Sequence, residues 1–167
     1  MSRVRKYVGL AVCGSVLTML ASTAGATATS DASDVEHLMD EYHTAVVNHD
    51  GARLAKLFVP AGSSWFNVLS DTGYALVEAK APNAVKVRAS TVESFIQFVS
   101  TSKAKLDPQH GPVSIKTDGA IASVYFDFNF VIDGKVQNKG SESWQLVTYA
   151  DGWRIASIIY SSTPAGK

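Results

Sequence analysis

Three Asp-Gly dipeptides, Asp118-Gly119, Asp133-Gly134 and Asp151-Gly152, cut the last third of the chain into runs rich in β-branched and aromatic residues. Asp-Gly between such runs favours a tight hairpin, because both residues tolerate the positive φ of a type I′ turn. The stretch from Val113 to Tyr160 is therefore expected to form four antiparallel strands in a meander, with long runs over Ile121–Ile132, Lys135–Tyr149 and Trp153–Tyr160. Val124, Phe126, Phe128, Phe130 and Ile132 alternate with Ser123, Tyr125, Asp127, Asn129 and Val131. That period of two puts one face in a core and leaves the other wetter. Runs this long exceed the usual strand of about 5–6 residues. Such strands twist and bend, and Gly140 offers a bulge at which the third can curve. A long one-sided sheet needs helices over its apolar face.

The upstream chain supplies them. Ser33 or Asp34 caps a first helix, in which Val35, Leu38, Met39, Tyr42, Ala45 and Val46 form one apolar stripe at helical spacing. It ends near Asn48-His49, and Asp50 caps a second, shorter helix from Gly51 to Phe58, stopped by Pro60. A first strand spans Ser64 to Leu69, and Asp71-Thr72-Gly73 reads as a turn. The segment from Tyr74 to Arg88 is ambiguous; Tyr74–Val77 and Val85–Arg88 can pair as a short hairpin across Pro82-Asn83. A third helix starts at Ser90 or Thr91 and runs to about Ser100. Residues 102–112 read as a polar loop.

Residues 1–26 read as an export signal: Arg3, Arg5 and Lys6, a mainly apolar run from Tyr7 to Leu20, and a small-residue cleavage site after Ala26 or Ala28. The apolar run is short and broken by Gly and Ser, which disfavours a retained anchor. A lipoprotein reading would use Cys13, but Val12 stands where a small residue is wanted. The expected layout is a signal at 1–26, a disordered lead-in at 27–32, one domain at 33–162 and a tail at 163–167. The product would be periplasmic or secreted and free of the membrane. Without the signal the formal charge is about −3 and no cysteine remains, so stability must come from the core alone. No basic cluster points to nucleic acid.

The segment Val46-Val47-Asn48-His49-Asp50-Gly51 behind Tyr42, then Leu54 to Phe58, and at the other end Ser141-Glu142-Ser143-Trp144-Gln145-Leu146 and Asp151-Gly152-Trp153-Arg154-Ile155, carry a resemblance. The chain is similar to the nuclear transport factor 2-like (NTF2-like) superfamily, which also holds SnoaL-like and ketosteroid isomerase-like proteins. The resemblance implies an α+β cone, a curved antiparallel sheet wrapped on three helices from the N-terminal half, with a cavity at its open end. It nominates Tyr42, Trp65, Phe126, Phe128, Glu142 and Trp144 as the ligand-binding lining; the alternative is that these are core aromatics. A fold of this kind does not by itself specify an activity.

Ketosteroid isomerases pair a tyrosine with a protonated carboxyl as an oxyanion hole. Tyr42 and Glu142 fall near those positions, but the place of the general base is close to Phe66 and no acid lies between Trp65 and Leu69. Asp127, on the wetter face, is a further weak acid candidate. His37, His43, His49 and His110 have no metal-ligand spacing, so neither metal nor cofactor is expected. The resulting expectation is non-catalytic binding of a small apolar or aromatic molecule. The alternatives are a cofactor-independent isomerase, dehydratase or cyclase using a pocket carboxyl, and a homodimer formed through the outer sheet face.

Overall fold

The structure, a computed structural model, describes residues 24–165, so most of the expected signal lies outside the described residues. Helix α1 spans Ala24–Val47. It includes residues 27–32, upstream of the expected helix start at Ser33 or Asp34. Its inner stripe is as expected: Val35, Leu38, Met39, Tyr42, Ala45 and Val46 are all buried. His49 takes a positive φ of 58°, which turns the chain between helices. The Asp50 carboxylate then accepts the Arg53 backbone N–H at 2.9 Å, capping α2 (Gly51–Ala55).

Strand β1 is Ser64–Leu69, and α3 (Asp71–Glu78) follows it directly. This corrects the reading of residues 71–73 as a turn and of Tyr74–Val77 as a strand. Asp, Thr and Gly are turn formers, but Ser70 precedes them and its hydroxyl accepts the Gly73 N–H at 3.0 Å, an N-cap. Gly73 must stay small, because a Cβ there would lie 2.8 Å from the Ser162 carbonyl oxygen. The other half of the ambiguous segment becomes β2 (Val87–Ser90), which pairs antiparallel with β1. Thr91 caps α4 (Val92–Thr101) through the Ser94 N–H.

Residues read as a polar loop contain β3 (Leu106–His110). Its composition hides it, since Asp107, Pro108 and Gln109 are poor strand formers. It is tolerated as an edge strand paired only with β5. The meander follows as expected: β4 (Ser114–Thr117), β5 (Ile121–Ile132), β6 (Lys135–Tyr149) and β7 (Gly152–Pro164). Positive φ at Asp133 (50°) and Gly134 (75°) closes the β5–β6 hairpin. β7 extends beyond the expected domain end at 162 and takes in the start of the tail.

The sheet order is β2-β1-β7-β6-β5-β3, with β4 also on β5. It is mixed rather than wholly antiparallel: Trp65 pairs with Ile158 in a parallel β1–β7 ladder. Parallel neighbours need a long crossover, and here the whole intervening chain serves as one. Four helices, not three, are present among the described residues, and α3 sits beside the β1 end of the sheet.

The ladders shift register between Phe130 and Val131 and between Gln145 and Leu146, and not at Gly140, where a bulge was expected. Burial follows the first shift: Ala122, Val124, Phe126 and Phe128 are buried, and then the phase slips to Val131. Gly140 has another role. A Cβ there would lie 2.1 Å from the Ser161 carbonyl oxygen, so only glycine lets β6 and β7 approach this closely. The core joins α1, α2 and α4 to the inner sheet face through Leu54, Val99, Leu146, Ile155 and Ile158. Burying each such side chain stabilises the fold by about 1.5–3 kcal/mol.

Candidate functional site

Between α1, α4 and the inner face of the sheet lies a cavity of about 290 Å³. Tyr42, Trp65, Phe126, Phe128, Glu142 and Trp144 all line it. Local geometry explains why they converge. Met39, Tyr42 and His43 share one side of α1 because residues three and four apart are neighbours on a helix. Phe126 and Phe128 alternate inward along β5, and Glu142 and Trp144 do the same along β6. The rings form a belt: Tyr42 and Trp144 have centroids 4.9 Å apart, Trp65 and Phe95 4.9 Å, and Phe126 meets Trp144 edge-on at 5.3 Å. Such pairs contribute about 0.5–1.5 kcal/mol beyond the area they bury.

Glu142 is the one acid in this wall. Its side chain is half-buried and lines the cavity, with Phe126 and Tyr160 as its cross-strand neighbours. Burial raises its pKa to about 7, and the Trp144 indole N–H, donated to Oε2 at 2.7 Å, works in the opposite direction. Burial, followed by the charges of Glu142 and Tyr160, pushes the Tyr42 phenol well above its ordinary value. Near neutrality Tyr42 is thus a neutral hydroxyl, and Glu142 changes between donor and carboxylate.

The sequence reading missed several lining residues. His43 and His110 join Gln109 in a polar part of the wall. His43 Nε2 lies 3.3 Å from Asp107 Oδ1. The Gln109 amide, and after it His43, hold Asp107 below the usual carboxylate range. Metal-ligand spacing alone concealed these histidines; His43 is four residues from Met39, which was a usable signal. His110 was out of reach once β3 was read as a loop. Phe95 and Tyr160 also line the cavity, and Tyr160 shares the inward face with Ile158.

Asp127 is placed elsewhere. It lies on the outer face, where its carboxylate accepts the Ser141 hydroxyl at 2.6 Å, and it does not reach the cavity. Phe66 also faces outward, in register with Ile159. No acid of β1 enters the site. Among the described residues no group of three or more His, Cys, Asp or Glu is arranged to hold a metal ion.

No family model and no curated protein sequence matches the chain. Solved structures do. An NTF2-like protein of unknown function from Shewanella baltica is 14% identical, with 82% of this chain and 97% of that one covered at a TM-score of 0.59. A candidate scytalone dehydratase from Novosphingobium aromaticivorans is 15% identical, covering 83% and 88% at 0.62. A candidate dehydratase of the NTF2-like family from Streptomyces avermitilis is 15% identical, covering 84% and 99% at 0.58. At such identities the likeness lies in the backbone, and it agrees with the helices and the curved mixed sheet described above: the chain has the α+β NTF2-like cone fold.

Proposed function

We propose that the protein is an exported domain that binds a small apolar or aromatic molecule in the cone cavity without turning it over. One observation carries the reading: aromatic side chains from two helices and four strands converge on a single cavity with one carboxyl in its wall. Small-molecule sites have this form, apolar walls with a few polar groups that orient the ligand, and about 290 Å³ lies just below their usual range of about 300–1,000 Å³, which suits a small ligand. Export rests on the basic and apolar pattern of residues 1–26. The test is native mass spectrometry of the protein taken gently from the exported fraction. An adduct of defined mass that is lost on Trp65→Ala supports the reading. A bare protein that no aromatic compound stabilises in a thermal-shift screen refutes it.

A second reading, a cofactor-independent isomerase or dehydratase, is favoured by the Tyr42 phenol held neutral beside Glu142. The names of the dehydratase-like structures point the same way. The missing acid on β1 weighs against it. Unchanged turnover of every tested substrate in Glu142→Gln would remove its remaining acid. The assembly proposed with either reading is a homodimer through the outer sheet face, where Tyr125, Ser143, Ile159 and Phe66 form one cross-strand row.

A further inference from the structure

Glu142 is a half-buried carboxyl in the cavity wall without a counter-charge. Among the described residues it joins no ion pair, and the cavity wall holds no lysine or arginine. Trp144 Nε1 is 2.7 Å from Oε2, which leaves Oε1 for whatever enters the cavity. The same cavity is lined by the rings of Tyr42, Trp65, Phe95, Phe126, Trp144 and Tyr160. Aromatic faces carry negative charge density and attract a cation placed over them, most when water is excluded. The unpaired carboxyl and the rings therefore favour the same sign of charge.

We propose that the ligand is an organic cation, a small aromatic or compact alkyl amine whose ammonium pairs with Glu142 while its apolar body lies against the aromatic belt. This rests on the binding reading above and names the chemical class of the ligand. A carboxylate ligand would meet like charge in a medium that screens poorly. A neutral ligand would leave the carboxyl to hold its own proton. A cation supplies the missing partner, and the proton it displaces from Glu142 passes to solvent. The titratable groups that face Glu142 or share its cavity are Tyr42 and His43 from α1, His110 from β3 and Tyr160 from β7. The α4, β1 and β2 contributions (Ser94, Phe95, Phe98, Trp65, Ser90) do not titrate in the range tested.

The test uses three probes of one shape on the mature protein: phenethylammonium, 2-phenylethanol and phenylacetate, with binding followed by calorimetry. At about pH 8 the cation is expected to bind at least tenfold tighter than either analogue, the size of a desolvated cation–π contact combined with a charge pair. In Glu142→Gln the ratio of cation to alcohol affinity should collapse, which separates Glu142 from the two histidines. If this variant fails to fold, the wild type still decides. In two buffers of different ionisation heat near pH 6, the cation should release close to one proton per molecule bound, and the alcohol none. Equal affinity for alcohol and ammonium, or no proton release, overturns the cation assignment and leaves the binding reading intact. If none of the three binds, the cation assignment falls and the thermal-shift screen decides the binding reading.

Discussion

Trp144 donates its indole N–H to the Glu142 carboxyl at 2.7 Å, from a position two residues along the same face of β6. The pleat of one strand thus aims an acid and its donor into the same cavity. The donor favours the charged form, while the surrounding burial disfavours it, and burial is the larger effect.

Trp144→Phe keeps a ring in the belt and removes the donor. The Glu142 pKa is expected to rise further above about 7. Carboxyl-carbon NMR titration of the variant checks this; a lower value would mean that the hydrogen bond does not favour the carboxylate.

The same shift predicts how stability depends on pH. The Glu142 pKa rises from its ordinary 4.5 to about 7 on folding, so between those values the native state holds a proton that the unfolded chain has released. Stability from this group is present below about pH 4.5 and is lost as pH rises to about 7, by up to about 3 kcal/mol at 1.36 kcal/mol per unit. Chemical denaturation from pH 5 to 8 should show that decline in the wild type and a flatter profile in Glu142→Gln. Identical slopes in the two proteins would contradict it.

Gly140→Ala places a Cβ 2.1 Å from the backbone oxygen of Ser161 and 2.7 Å from its carbonyl carbon. Backbone cannot give way as a side chain can, so a loss of about 2–3 kcal/mol is expected, at the upper end for overpacking. Gly62→Ala is the control. Its φ of 79° strains the alanine but its Cβ meets nothing within 4 Å, and the loss should be nearer 1 kcal/mol. Equal midpoints for the two variants would mean that the β6–β7 approach is not tight.

Removing residues 1–28 should leave the melting temperature almost unchanged. Among the described side chains of α1, burial begins at Val35. Shortening a helix ahead of its first buried residue is expected to cost a few tenths of a kcal/mol. Intact mass of the exported protein should place the first residue at Thr27 or Thr29. A drop of several degrees would make the start of α1 part of the fold.

Tyr125→Lys tests the proposed dimer. Tyr125 is 55% exposed and Ile159 46%, on the face opposite the cavity. A lysine there puts like charges together across a two-fold contact. The variant should shift from dimer to monomer in analytical ultracentrifugation with its melting of secondary structure little changed. A wild type that is already monomeric at micromolar concentration ends this proposal.

Local chemistry made much of this molecule readable from its residues alone. Positive-φ turns at Asp-Gly and the alternation along β5 settle the meander, and helical spacing settles the buried stripe of α1, because each depends on neighbours in the chain. The same periodicities put Tyr42, Phe126 and Phe128 on apolar faces, whereas Trp65, Glu142 and Trp144 were nominated by the family resemblance. Other features depend on partners far away in sequence. Residues 71–73 became a helix start because Ser70 caps them and Ser162 lies against Gly73. The polar stretch at 106–110 became a strand because β5 offers it a ladder, and that brought His110 to the cavity. The parallel β1–β7 pairing depends on where a crossover lands, and no local pattern encodes it. The position of the register shifts also came from packing, since Gly140 was needed for close approach and the register slipped elsewhere. The state of Glu142 belongs to this second class: its charge is set by walls drawn from distant parts of the chain, which exist only once the cone has closed.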